Sequence, residues 1–162
     1  MTPNLNEELT NLRELYQSGE SVLESLSAPL GSGESWDAAQ HMHHLILVNA
    51  SVTRLIPALA AGKFADKSAA AKPKFLEKLY EGYFPSGGTA PKNVEPSAEL
   101  DKDELRSAWR EGLNKIEALE GQDLESDYRL EHQFYGPLTA LEWLRFMGIH
   151  TRHHLKLIEA LD

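Results

Sequence analysis

The chain has 162 residues, 41% of them hydrophobic and 25% charged, a composition that fits one globular domain spanning 1–162 and rules out wholesale disorder. Its 25 acidic against 16 basic residues leave a net charge of −9, the wrong sign for neutralising phosphates, so neither nucleic acid nor an anionic membrane surface is an expected partner. Cysteine is absent, which removes disulfides, thiolate zinc sites, iron–sulfur clusters and a cysteine nucleophile, and leaves any metal to histidine and carboxylate side chains.

The longest apolar run, Leu55 to Ala61, is far below the roughly 20 residues a spanning helix needs, and Met1 to Thr10 is polar. A soluble cytoplasmic protein is the expectation. From Leu5 to Leu26, Leu5, Leu9, Leu12, Tyr16, Val22 or Leu23, and Leu26 recur at helical spacing, the stripe of a first helix that should stop before Pro29 and the Gly31 to Gly33 turn. Ser35 is the expected N-cap of a second helix running to about Ala61, with Met42, Leu45, Asn49, Val52, Ile56 and Leu59 on one face and Gly62 as the stop. Pro57 lies near its last turn, where a kink is expected.

Residues 63 to 100 hold four prolines, Gly87-Gly88 and one short helical candidate, Pro73 to Tyr80, so they read as a long connection. Asp101 and Glu104 open a third helix ending at Gly121, and Thr139 and Glu142 open a fourth that runs to Leu161. No strand pair is expected. The reading is an all-α four-helix bundle, up-down-down-up, because a crossover of nearly forty residues can return the chain along the bundle and leave the second and third helices parallel. The second and fourth helices are then antiparallel.

The seven histidines are the informative part of this sequence. On a helical wheel the fourth helix places His150 and His154 on the same face as Met147, Leu144 and Thr151, and the i, i+4 spacing lets both rings reach one metal ion. His153 lies at the edge of that stripe. On the second helix His41 falls inside the apolar face, His44 at its margin and His43 outside it. With the helix ends level, His44 lies about 12 Å from its end of the bundle and His154 and His150 about 10 and 16 Å, so His44 is level with the pair and His41, one turn higher, can also reach it. His132 precedes the fourth helix at the opposite end, roughly 16 Å or more from His150, and is set aside as a ligand. Glu8, Glu20, Glu104 and Glu111 read as a solvated face, and Tyr80, Tyr83 and Phe84 as residues that pack the crossover onto the bundle. The crossover's last part, Pro91 to Pro96, is expected to return to the end of the bundle nearest the histidines.

Two segments resemble the DinB/YfiT-like proteins. Ser35-Trp36-Asp37-Ala38-Ala39-Gln40-His41-Met42-His43-His44-Leu45 is similar to that family's Trp followed eight positions later by a His-Leu pair. Gly136-Pro137-Leu138-Thr139 through Trp143 to His150-Thr151-Arg152-His153-His154 resembles its final helix with an HxxxH motif. The resemblance implies a four-helix bundle with a divalent ion on His44, His150 and His154, the family's ligand being the His directly before Leu. Zinc, nickel, iron and manganese all suit imidazole ligands. It also implies a small-molecule substrate, since characterised relatives include metal-dependent transferases that use low-molecular-weight thiols, and many members are described only as metal-dependent hydrolases. Three imidazoles leave coordination positions open for substrate or water, as catalytic sites do. The alternative is a metal-binding bundle without turnover, a dimerising or stress-response protein. Metal affinity should fall as pH drops towards about 5, because the unperturbed imidazole pKa is about 6.5 and ligands bind as neutral rings.

Overall fold

The computed structural model describes residues 2–27, 30, 35–68, 74–85, 90–97 and 99–161. The chain is mostly helical. In order it forms α1 (Leu5–Glu24), α2 (Ala38–Ala60), α3 (Ala65–Ser68), α4 (Leu76–Tyr80), a 3-10 turn at Lys92–Val94, α5 (Lys102–Glu117), β1 (Leu130–His132), β2 (Gly136–Leu138) and α6 (Ala140–Glu159). Four of these helices are long and pack on one another through their apolar stripes. No helix among the described residues is long and apolar enough to cross a membrane.

Helix ends follow from capping chemistry. The Asn4 side chain accepts the Glu7 N–H and starts α1. Asp37, rather than the expected Ser35, caps α2: its carboxylate accepts the Gln40 N–H while the Gln40 side chain accepts the Asp37 N–H, so two otherwise orphan donors are satisfied reciprocally. Thr139 and Glu142 close the same box on α6, whereas Asp101 caps α5 with the carboxylate half alone. The helix α2 continues through Pro57 to Ala60, and Gly62 follows at φ +84, a conformation in which glycine carries no Cβ penalty. The helix α1 ends at Glu24, before Pro29 as expected; Pro29 itself and the Gly31 to Gly33 turn lie outside the described residues, as do Pro73 and Gly87-Gly88, and Leu76–Tyr80 of that helical candidate forms α4.

The core fills the space between α1, α2, α5 and α6. Leu9, Leu12, Met42, Leu45, Ile56, Ile116, Leu144 and Met147 are all buried. Trp109 stacks on Tyr16 at 4.0 Å between ring centroids, and its indole N–H donates to the Tyr16 carbonyl at 2.9 Å. Gly19 makes that approach possible, because a Cβ there would run into the Trp109 ring. Asn49 spans the interior with its amide donating to the Tyr16 hydroxyl (2.9 Å) and to Thr151 Oγ1 (3.1 Å). Glu8, expected in solvent, is instead buried and paired with Arg145 of α6 at 3.0 Å. Helical periodicity marks Glu8 as polar but carries no information about a partner 137 positions away.

A two-stranded hairpin corrects the expectation of no strands. The strands β1 and β2 pair antiparallel with Leu130 opposite Leu138 and His132 opposite Gly136, and Gly136 turns at φ +82. The Trp143 indole N–H donates to the Leu130 carbonyl at 3.2 Å and ties the hairpin to α6. Three-residue strands are too short to show an alternating pattern in the sequence.

Candidate metal centre

Two helices bring the histidines together. The capping box at Thr139 sets where α6 begins, and His150 and His154, one turn apart, point from it towards α2. The facing turn of α2 carries His41 and His44. All four rings are buried, with relative exposures between 4% and 8%.

The ring nitrogens converge. His150 Nε2 lies 3.3 Å from His44 Nε2 and 3.1 Å from His154 Nε2. One ligand atom from each of His44, His150 and His154 falls within 4.8 Å of the others, so these three could hold a metal ion. The spacing matches shared coordination, since nitrogens about 2.0–2.1 Å from one zinc are about 2.9 Å apart at a right angle and about 3.4 Å apart at the tetrahedral angle. Both measured separations fall in that interval.

Each ring has a second nitrogen whose partner decides which atom is left to bind. His44 Nδ1 donates to the Val94 carbonyl at 2.8 Å, which places the proton of the neutral ring there and leaves Nε2 as a lone pair aimed into the cluster. His154 Nδ1 lies 2.9 Å from His41 Nδ1. His150 Nδ1 is buried with no hydrogen-bond partner among the described residues. The Val94 contact comes from the 3-10 turn, so the end of the crossover does reach the histidines.

Burial keeps these imidazoles neutral. It pushes His150 down to about 3, helped by the charge that His44, His153 and His132 would carry. Burial likewise takes His154 to about 2, with His150, His44 and His41 adding repulsion, and His41 to about 4. His44 is lowered by burial and partly restored by its hydrogen bond to Val94. Each ring is therefore held in the neutral form, the form in which an imidazole binds a metal, below its ordinary titration range.

Aromatic rings enclose the cluster. Trp36 lies 5.3, 5.0 and 6.1 Å from the rings of His41, His44 and His154. Phe84 meets His150 edge-on at 5.0 Å and His153 at 4.9 Å, and Phe146 stacks on His150 at 5.4 Å. Of the three crossover aromatics, Tyr80 donates to Glu142 at 2.6 Å, the Tyr83 carbonyl accepts from Tyr135, and Phe84 reaches the histidines.

The remaining histidines separate clearly. His43 accepts the Ser97 N–H at 3.0 Å, and neither it nor His153 belongs to the converging set. His41 faces His154 through the wrong nitrogen to join that set. His132 stands closer than its place in the sequence implies. Its ring lies 4.5 Å from Phe146, and Phe146 lies 5.4 Å from His150, so the His132 and His150 centroids are under 10 Å apart rather than at least 16 Å. The hairpin is the reason, since it folds β1 back along the first two turns of α6.

A family model described as the DinB superfamily matches residues 3–158. The chain belongs to the DinB superfamily. No curated protein and no solved structure matches it significantly. The match spans the segments that carry every histidine discussed above, so the buried triad lies inside the region that defines membership of the DinB superfamily.

Proposed function

We propose that this DinB-superfamily protein is a divalent-metal protein in which His44, His150 and His154 hold the ion, and that it acts on a small molecule as a metal-dependent transferase of the thiol type or as a hydrolase. The observation that carries the reading is the convergence of three buried Nε2 atoms at 3.1 and 3.3 Å. A divalent ion on such a set supplies Lewis acidity that lowers the pKa of a bound thiol or water. The protein's own residues do the rest. Val94 orients His44, burial keeps the rings neutral, and Trp36, Phe84 and Phe146 pack against the imidazoles and hold them in place. A thiol nucleophile comes from a cosubstrate, because the chain has no cysteine.

The up-down-down-up order of the four long helices belongs to the same reading. The pairs His44 with His150 and Thr53 with Met147 run in opposite numerical senses, and so do Arg13 with Glu117 and Glu20 with Arg110. Glu8 with Arg145 and Asn11 with Arg152 run in the same sense. These pairs support α1 alongside α6, with α2 and α5 reversed.

The test is elemental analysis of the purified protein followed by transfer of a low-molecular-weight thiol to a small electrophile, with and without chelator. Near-stoichiometric metal and chelator-sensitive turnover are expected. A protein that neither carries nor takes up a divalent ion overturns the metal reading, and a stoichiometric metal without thiol transfer or hydrolysis leaves a non-catalytic metal-binding bundle.

A further inference from the structure

We infer that His41 is a positioning residue whose ring accepts the His154 Nδ1 proton and so fixes His154 in the tautomer that can bind metal. The inference rests on the metal reading above. A neutral imidazole carries one N–H and one lone pair. For His154 Nε2 to offer its lone pair beside His150, the proton of that ring has to sit on Nδ1. The polar atom that faces His154 Nδ1 is His41 Nδ1, at 2.9 Å.

Two proton arrangements satisfy that contact, and they are not equivalent. In one, His154 Nδ1–H donates to His41, and His41 carries its own proton on Nε2. In the other, His41 Nδ1–H donates to His154, the His154 proton moves to Nε2, and an N–H points into the cluster where a lone pair is needed. His44 has no such freedom, because the Val94 carbonyl can only accept. The pair His41 and His154 therefore holds a two-state element beside a fixed one, and a divalent ion selects the competent state.

The helices explain why His41 can do this. It lies three residues before His44 on α2, so both project from the same side of that helix towards α6. Trp36 meets its ring edge-on at 5.3 Å and limits how it turns. At 8% exposure His41 is not readily replaced by bulk water, so removing its acceptor strands the His154 N–H. Partners of this kind typically change metal affinity by about 10–100-fold.

The experiment is a zinc titration against a chromophoric chelator on the full chain and on His41→Phe and His41→Asn, with long-range nitrogen-detected NMR of the His154 ring in the zinc-loaded wild type. His41→Phe keeps an aromatic ring against Trp36 but has no acceptor, and should bind zinc about 10–100-fold more weakly. His41→Asn places an amide oxygen near the position of Nδ1 and should recover most of that loss. The wild-type spectrum should show the His154 proton on Nδ1, a readout that does not depend on any variant folding. A His41→Phe protein that binds like wild type, a His41→Asn protein no better than His41→Phe, or a His154 ring without a proton on Nδ1 overturns this inference alone. A wild-type protein that binds no zinc overturns the metal reading and this inference with it.

Discussion

His132 should weaken the fold as the pH falls, and a single substitution isolates its share. The ring is buried against Phe146, Trp143 and Tyr135, and Nδ1 accepts the backbone N–H groups of Phe134 at 3.0 Å and Tyr135 at 3.4 Å. Protonating Nδ1 would turn an acceptor of two donors into a third donor. Burial pushes the pKa of His132 down to about 4, against about 6.5 in an unfolded chain. Between those two values the unfolded chain takes up a proton that the folded one refuses. Stability due to His132 is therefore fully present above about pH 6.5 and is lost as the pH falls through about 4.

One proton corresponds to a slope of about 1.4 kcal/mol per pH unit, so the loss between pH 6.5 and 4.5 is on the order of 2–3 kcal/mol. The other buried histidines titrate too, which is why the comparison with His132→Asn matters. The Asn amide oxygen takes the place of Nδ1, accepts the same two N–H groups and does not titrate. Urea unfolding followed by circular dichroism, with chelator present throughout, should give a shallower pH dependence for His132→Asn by about one proton. Parallel curves for the two proteins would refute the argument that the fold holds His132 neutral.

Replacing His44, His150 or His154 by Ala should each strip the metal, whereas His43→Ala and His153→Ala should retain it, as read from metal per protein after dialysis. With zinc at about 100 times the dissociation constant the wild type should gain about 2.7 kcal/mol, on the order of 5–10 °C in melting temperature, and the three ligand variants almost nothing. Gly19→Ala should lower stability by about 1–3 kcal/mol, because the new Cβ meets the Trp109 ring, and this outweighs the gain of about 1 kcal/mol that Ala brings to a helix. A melting temperature at or above wild type would count against it. Glu142 is 2% exposed and accepts from Thr139 N–H, Arg129 and the Tyr80 hydroxyl, so Glu142→Gln removes the buried charge opposite Arg129 and forces the Tyr80 hydroxyl to turn from donor to acceptor. Its cost should be about 2–4 kcal/mol in urea unfolding, and a change below about 0.5 kcal/mol would overturn the assignment.

How far the site can be read from sequence depends on whether one element or two define it. His150 and His154 sit on one helix at i, i+4, and α-helical geometry alone puts them on one face. His44 comes from a second helix, and choosing between it and His41 by level leaves a margin of one turn. The structure separates them by which ring nitrogen each presents: His44 shows Nε2 to His150, and His41 shows Nδ1 to the far side of His154. Counting level along α6 misplaces His132, because it treats the preceding chain as continuing outward, whereas Gly136 at φ +82 reverses the path within a few residues. A cap can be ambiguous in the same way. Ser35 and Asp37 are both good N-caps, and the reciprocal partner Gln40 lies at the right distance for Asp37 only. The orienting groups are the least legible of all. The acceptor that fixes His44 is the backbone carbonyl of Val94, and every residue has a carbonyl, so no side-chain pattern marks it. What a sequence displays is the set of atoms able to bind. Which of them are held ready depends on groups such as the Val94 carbonyl and His41 Nδ1, and these acquire their roles only when the crossover and the two helices close on one another.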